Sequence, residues 1–492
     1  MCGPGNRNWL FMGGPGLWPI YHLQVLGPIP GNRLRRFSHG LHDVSASSPF
    51  GANSHDSTPL EGWIAKQSAI STAAMARAIS ATHLVRRRDT FAQIVVPAPG
   101  SVLASPVIAD WDPEPDYFFH WVRDSAIVMR TAAELMEDAS SELERQYWGR
   151  HFNDFVRFSL TLSRLDGAQF HRQSRYRHAT PHAARRFLRQ DAEICALIGD
   201  KILSEPRFNP DGTIDILRWS RPQYDGPALR ALTCLRYLRA GGPQNEEISL
   251  LLRQDLGFTL RHAGRPCIGP WEEAAQHLHH YYVALVQLGA LVHGRVWAGD
   301  SGRAWRRAEE RLRADLDQHW SERRQVYAAT RPPAAESADD LVDAATLLAV
   351  LDADLLDGPH SVQDPRVHAT QAAIQRLFKR ELPINHDRTV GAAPALGRWR
   401  SDCYFGGGAW YVTTLAAAAL YYRRARCAWQ DRRALVEQGD RFMERVQALT
   451  PGDGSLAEQV DRVTGTPTSA RHLTWSYAAF ISTARLRALV DG

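Results

Sequence analysis

Lysine is almost absent from this 492-residue chain: Lys66, Lys201 and Lys379 are its only lysines among 58 basic side chains, the rest being arginine. The 53 acidic residues are interleaved with them and the net charge is only +5. Such a chain presents no basic stripe for nucleic-acid phosphates, and the arginine excess reads as genome composition. Cysteine is sparse too. Cys2, Cys195, Cys234, Cys267, Cys403 and Cys427 form no Cys-x-x-Cys pair. That spacing signals neither a zinc site nor a small disulfide framework, and it fits a reducing compartment. No uninterrupted apolar run reaches the roughly 18 residues that suggest a membrane span. The stretch from Trp9 to Leu26 is interrupted by Gly13, Gly14, Pro15, Gly16 and Pro19, and only Arg7 could serve as its charged flank. No signal peptide is expected, and a cytoplasmic location is expected over a periplasmic or secreted one.

A hydrophobic fraction of 44% with 23% charged residues is ordinary for a globular protein with a large core. Fifteen tryptophans are more informative, because indole faces pack on the apolar faces of sugar rings. Residues 1–58, rich in Gly, Pro, Ser and Asn without sustained periodicity, are expected to form a disordered extension. From there the pattern is helical, with starts expected near Trp63, Asp124, Ser140, Asp225, Asn245, Trp271, Gly302, Asp339, Pro365, Trp410, Asp431 and His472. Ser337-Ala-Asp-Asp340 ahead of Leu341, Ala344, Ala345 and Leu348 has the form of a capping box. No comparable series of alternating strands occurs. The expectation is one all-α domain over residues 59–492, its loops alternating between plain and residue-rich, as in two nested rings of helices.

Gly269-Pro270-Trp271-Glu272-Glu273 sets two carboxylates beside an indole, which is material for acid catalysis. A neighbouring carboxylate and an apolar wall both raise a carboxyl pKa. The same triplet equally describes glutamates in a first helical turn answering the macrodipole, and a helix start would itself hold a carboxylate ionised. Glu458 lies in the Gly-rich stretch Pro451–Gln459, where a loop residue can serve a pocket or simply face water. Arg123-Asp124 at a helix start reads as a cap and ion pair as readily as a ligand-binding pair. Other motifs carry less. Gly299-Asp-Ser-Gly302 is an isolated tetrapeptide before a plain helix, and Gly406-Gly-Gly408 lacks the Lys-Ser/Thr of a phosphate loop. His277, His279 and His280 have no further ligands at metal spacing, and Pro181 separates His178 from His182. No metal or cofactor is expected.

Six blocks occurring in order resemble the glucoamylases of glycoside hydrolase family 15. They are Phe118–Ser125, Glu205–Phe208, Arg221–Arg230, Trp271–Glu273, Gly397–Trp410, and Ala457–Gln459 with Leu473–Tyr477. The resemblance runs from about residue 60 to the C-terminus. It implies an (α/α)6 barrel of six inner and six outer helices, and hydrolysis of terminal α-linked glucose with inversion, releasing β-D-glucose. Glu272 is then the counterpart of the general acid and Glu458 of the general base. Arg123 and Asp124 resemble the pair that holds the terminal glucose, and Arg398 with Asp402 a second polar pair. Glu273 resembles the carboxylate that bonds the sugar on the leaving-group side. Tyr117, Trp121, Trp219, Trp271, Trp410 and Trp475 match the aromatic wall.

Three departures concern linkage. Ala275 stands where fungal members carry Asn, Pro270 replaces Leu, and the loop around Cys403 is Gly-rich where fungal members have Asn and Pro. An α-1,6 preference is therefore an alternative to the α-1,4 reading, and a non-catalytic carbohydrate-binding protein is a third. Retention of both Glu272 and Glu458 favours an enzyme. With few residues after Trp475, no starch-binding module is expected, and the expected partner is a soluble α-gluco-oligosaccharide bound by a monomer.

Overall fold

Apolar residues recur at helical spacing from Leu60 onward, and the described residues include twelve helices of nine or more residues. The computed structural model describes residues 59–110, 113–273, 276–299, 302–331, 337–386 and 392–491. The expected disordered extension and the calls on Ala275 and on the Asp300-Ser301 part of the tetrapeptide lie outside the described residues. In chain order the helices are α1 (Pro59–Ala78), α2 (Val122–Glu137), α3 (Glu142–Ser163), α4 (Gly226–Arg239), α5 (Glu246–His262) and α6 (Tyr281–Ala298). They continue with α7 (Gly302–Asp317), α8 (Ala345–Ala353), α9 (Pro365–Glu381), α10 (Tyr411–Cys427), α11 (Arg432–Leu449) and α12 (Thr474–Asp491).

The even-numbered helices close a ring. α2 packs on α4, α4 on α6, α6 on α8, α8 on α10, α10 on α12, and α12 back on α2. Outer helices back them, with α3 against α2, α5 against α4, α7 against α6, α11 against α10 and α1 against α12. Residue chemistry explains the two layers. In α6 every residue from Tyr281 to Leu291 is buried, as expected of a helix surrounded by others. In α7 only one stripe is buried, containing Trp305, Ala308, Leu312 and Leu316, while the arginines face water. Burying each such leucine contributes roughly 1.5–3 kcal/mol relative to leaving it exposed. Glycine allows the closest approach between inner helices, since a Cβ on Gly289 of α6 would stand 2.4 Å from the Ala353 carbonyl oxygen at the end of α8.

Side-chain caps occur on three outer helices, though outer α11 has none. Outer helices α3, α5 and α9 are capped by the side chains of Ser141, Asn245 and Asp364. Inner helices α2, α4, α6, α8 and α10 have no hydrogen bond from an N-cap side chain. Carbonyls of neighbouring loops satisfy some of their first amides instead: Val122 N donates to Pro206 O at 2.9 Å, Tyr281 N to Ala329 O at 2.9 Å, and Thr474 N to Ala104 O at 2.8 Å. These bonds tie together the loops that enter the ring.

Most expected helix starts lie within two residues of those observed, and three move. α1 begins earlier, at Pro59, where proline's fixed φ suits a first helical position. The start expected at Trp271 moves to Tyr281. Glu272 takes φ +64°, Gly269 lies against the His280 ring, and His279–His280 first pair with Thr330–Arg331 as a short antiparallel ladder. Glu272 and Glu273 therefore lie in a turn, and the macrodipole does not act on them as a helix start would. At the third start Ser337 does cap, accepting the Asp340 amide at 3.2 Å, but that helix ends at Leu341 and α8 begins only at Ala345.

Overpacking a helix contact costs about 1–3 kcal/mol, so Gly289→Ala is expected to lower the urea midpoint clearly. Gly62→Ala is the control. That glycine is exposed in α1 with nothing within 4 Å of a new Cβ, and the change should be neutral or stabilising by up to about 1 kcal/mol. Equal midpoints for the two variants would contradict the packing account.

Candidate active site

The six sequence blocks fall on loops leading into inner helices: Phe118–Ser125 enters α2, Glu205–Phe208 and Arg221–Arg230 precede α4, and Trp271–Glu273 precedes α6. Gly397–Trp410 precedes α10, and Ala457–Gln459 with Leu473–Tyr477 leads into α12. Short ladders set their register. His120–Trp121 pairs with Arg207–Phe208, and Gln459–Val460 lies between Ala409–Trp410 and Pro467–Thr468. The second ladder places Glu458 one residue from Gln459, the partner of Trp410.

Arg123, in the first turn of α2, is 3% exposed and binds two carboxylates. One nitrogen donates to Asp225 Oδ2 at 2.6 Å and the other to Glu272 Oε1 at 2.9 Å. Glu272 also accepts from the indole of Trp121 at 3.1 Å, from Gln223 Nε2 at 2.9 Å, and from the indole of Trp219. Arg398 organises a second cluster. It donates twice to Asp402 at 2.8 Å and once to Glu273, with Trp399, Trp410, Tyr404 and Trp271 around its guanidinium at 4.1–5.5 Å. Burial raises the Glu273 carboxyl pKa, with Arg398 pulling it back.

Glu458 is a third kind of carboxylate, 3% exposed and without an ion pair within salt-bridge distance among the described residues. Ser469 Oγ donates to it, and its own amide donates to Ala470 O at 2.8 Å. Burial pushes it up to about 7 despite the bond from Ser469 and the charge of Arg398. Asp124 is likewise pushed up to about 7 by burial, against the pull of Arg123 and with the charge of Glu272 adding to the rise. The Tyr117 and Tyr404 hydroxyls share a 2.7 Å hydrogen bond. The Tyr117 phenol is held well above its ordinary range by burial, then by the charges of Glu458, Tyr404 and Glu272. That phenol therefore feels the charge of both carboxylates.

Aromatic rings wall the space. Tyr117 and Trp121 lie 5.1 Å apart, Trp121 and Trp219 5.9 Å, and Trp271 packs against Trp410 at 5.3 Å and Trp475 at 6.5 Å. Beneath Trp219 lies the buried Arg207 guanidinium, 3.7 Å from the ring and bonded to Asp215 Oδ2 at 2.9 Å. A cavity of about 180 Å3 opens beside Glu272 and Glu273, with Trp271, Asp343 and Trp399 in its wall. Glu458 and Asp124 stand outside it, so the carboxylates mark the site better than the cavity does.

All thirteen sequence-predicted side chains lie on these loops or in the first turns of the inner helices they enter. Trp121, Arg123, Trp219 and Glu272 meet directly, as do Trp271, Glu273, Arg398 and Asp402, while Trp410 and Trp475 pack on Trp271. Asp124 and Tyr117 join the two carboxylates electrostatically. Residues given no role from sequence also belong: Gln223 and Asp225, Tyr404, Ser469, Arg207 and Asp343. The first two and Arg207 lie inside the quoted blocks, which was their signal. Tyr404 lies there too, but Ser469 and Asp343 do not. Among the described residues no three His, Cys, Asp or Glu are arranged to hold a metal, and no helix is long and apolar enough to cross a membrane.

With this geometry in hand, comparison with known proteins is decisive. Residues 81–161 and 198–485 match the glycosyl hydrolases family 15. The chain belongs to that family. This family 15 protein is a glycoside hydrolase, and the ring of inner and outer helices is its (α/α)6 barrel. It is 26% identical over 457 residues to a glucoamylase of Blastobotrys adeninivorans, covering 79% of this chain and 67% of that one. It is 26% identical to a probable glucoamylase of Schizosaccharomyces pombe, covering 80% and 86% respectively. The fold also matches the solved family 15 glucoamylase of Hypocrea jecorina, with a TM-score of 0.71 at 22% identity over 88% of this chain and 73% of that one. The Saccharomycopsis fibuligera glucoamylase gives a TM-score of 0.68 at 24% identity, over 90% and 99%.

The raised Glu458 pKa has a stability consequence of definite sign. Between the carboxyl's unfolded value near 4 and its folded value of about 7, the folded state holds a proton that the unfolded state has lost. The group's contribution therefore falls as pH rises through that window. Buried His120 and His319, each held down at about 3 by burial, act in the opposite direction but equally in wild type and variant. The thermal midpoint of Glu458→Gln should consequently gain on wild type from pH 4.5 to 7.5. A constant difference across that range would contradict the burial account.

Proposed function

We propose that this chain is an inverting, exo-acting α-glucosidase that releases β-D-glucose from the non-reducing ends of α-linked gluco-oligosaccharides. The observation carrying this reading is a pair of carboxylates, half-buried Glu272 and buried Glu458, on separate loops and held in unlike environments. Hydrolysis with inversion needs one acid to protonate the leaving oxygen and one base to activate water on the opposite ring face, with roughly 6.5–9.5 Å between them. Glu272 is assigned the acid. Three side-chain N–H donors and the Arg123 guanidinium fix the orientation of its carboxyl. Glu458 is assigned the base, in a dry setting where Ser469 orients it and the Tyr117 hydroxyl can help hold the attacking water. A base with a pKa near the working pH combines availability with basicity.

The remaining roles follow from placement. Asp124 accepts from hydroxyls of the terminal glucose beside Arg123. Glu273, with Arg398 and Asp402, reads the sugar on the leaving-group side, and the tryptophans supply stacking faces. The glucoamylases among its relatives support an α-1,4-linked substrate, and comparing maltose with isomaltose decides between that linkage and α-1,6.

Proton NMR during hydrolysis of maltose, maltotriose and isomaltose should show β-glucose appearing before mutarotation. Early α-glucose would overturn the assignment of acid and base. Glu272→Gln and Glu458→Gln should each lower kcat by about 10²–10⁴-fold, the usual worth of general acid–base catalysis, with KM little changed. Ser469→Ala removes a bond that lowers the Glu458 pKa, so the acid limb of the kcat/KM profile should move to higher pH.

A further inference from the structure

Five of the six inner helices are entered by a loop bearing one of the sequence blocks, and the sixth, α8, is entered by Val342-Asp343-Ala344. The chain leaves a helical path to make this entry. Helix Ala338–Leu341 stops, Asp343 forms an isolated antiparallel bridge with Trp399, and the Ala344 amide donates to the Arg398 carbonyl at 2.8 Å. The Asp343 side chain then reaches the other way. Both its carboxylate oxygens lie 2.9 Å from the Trp271 indole nitrogen, and Oδ1 also accepts the Ala345 amide at 2.6 Å. Backbone and side chain together thus make Asp343 and its neighbour Ala344 a junction of the Gly269–Glu273 turn, the Arg398–Trp399 segment and the start of α8.

We propose that Asp343 is a positioning residue for hydrolysis: by holding the Trp271 indole it fixes the turn from which Glu272 is aimed. The inference rests on reading Glu272 as the acid. Glu272 follows Trp271 directly and has φ +64°, a left-handed conformation costly for a residue with a Cβ. Such a conformation persists only where its surroundings over-determine it. On one side the four donors to the Glu272 carboxyl supply that constraint. On the other side stands Trp271, edge-on to Trp410 and stacked on Trp475, apolar contacts that carry little directional preference. The indole N–H is the directional contact that stops the ring from sliding, and Asp343 is its acceptor. Asp343 does not reach the substrate in this account.

The test compares Asp343→Ala, Asp343→Asn and Glu272→Gln on two donors. Maltose needs its leaving oxygen protonated, whereas fluoride leaves α-D-glucosyl fluoride with far less help. Asp343→Ala should lower kcat on maltose by about 100-fold, the order associated with a misplacement of about 1 Å, with KM within a few-fold. On the fluoride its loss should be several-fold at most. Asp343→Asn keeps an oxygen for both N–H groups, and it should recover most of the maltose rate. Glu272→Gln should show the same preference for fluoride, more strongly. Equal losses on both donors for Asp343→Ala, with Glu272→Gln still discriminating, would overturn the positioning role and leave Asp343 as a cap of α8. Full maltose activity in Asp343→Ala would overturn it too. If Glu272→Gln does not discriminate between the donors, the acid assignment falls and this inference falls with it.

Discussion

The arrangement of this site depends on a guanidinium that has lost its water. Arg123, 3% exposed, is bound between Asp225 and Glu272, and burying such a group is tolerable only when its charge is matched and its donors are used. Two carboxylates on one cation supply that match, and each comes from a different loop: Asp225 from the start of α4 and Glu272 from the turn before α6. Removing either would leave Arg123 paired with the other alone and part of its donor set unused. Arg398 repeats the device with Asp402 and Glu273 on the other side of Trp271.

Two arginine centres fix four carboxylates, and Glu458 is the exception. It has a hydroxyl where the others have a guanidinium, and desolvation dominates its titration. A single pocket thereby holds carboxylates of different character, and this is how chemically identical groups take different parts in one reaction. Tyr117, whose phenol feels both Glu458 and Glu272, sits where the two environments meet.

Much of this was legible in the sequence, and the failures have particular causes. The outer helices announced themselves through caps such as Asn245 and Asp364 and through stripes like that of Trp305, Ala308, Leu312 and Leu316, because a half-exposed helix must show its period. The inner helices begin without caps, so their starts were read from tryptophans and aspartates that belong to the site. That substitution succeeded at Trp410 and failed at Trp271, where acidic residues after Gly-Pro imitate a first helical turn. Only the contact of Gly269 with the His280 ring and the positive φ of Glu272 reveal the turn, and neither has a local sequence signature. Asp343 was hidden by a correct observation, since the capping box at Ser337 is real but its helix is four residues long. Glu458 and Ser469 flank one short ladder eleven residues apart, and Tyr404 reaches them from a separate loop. Glu458 was found through family resemblance alone, and the hydroxyls that serve it were not found at all.

The uncapped inner helices and the crowded site are one fact seen from two directions. A helix capped by its own side chain is self-sufficient, and its preceding loop can wander. A helix whose first amides are satisfied by another loop's carbonyl, as Val122 is by Pro206 and Tyr281 by Ala329, holds that loop in register. Repeated around the ring, this converts the unmet hydrogen-bonding need of the inner helices into fixed positions for residues more than a hundred apart in sequence. The fixed placing of the loop that carries Glu272 is thus supplied in part by backbone groups of other loops. A change that gave α2 or α6 its own side-chain cap would release a loop of the site, even if it stabilised the helix.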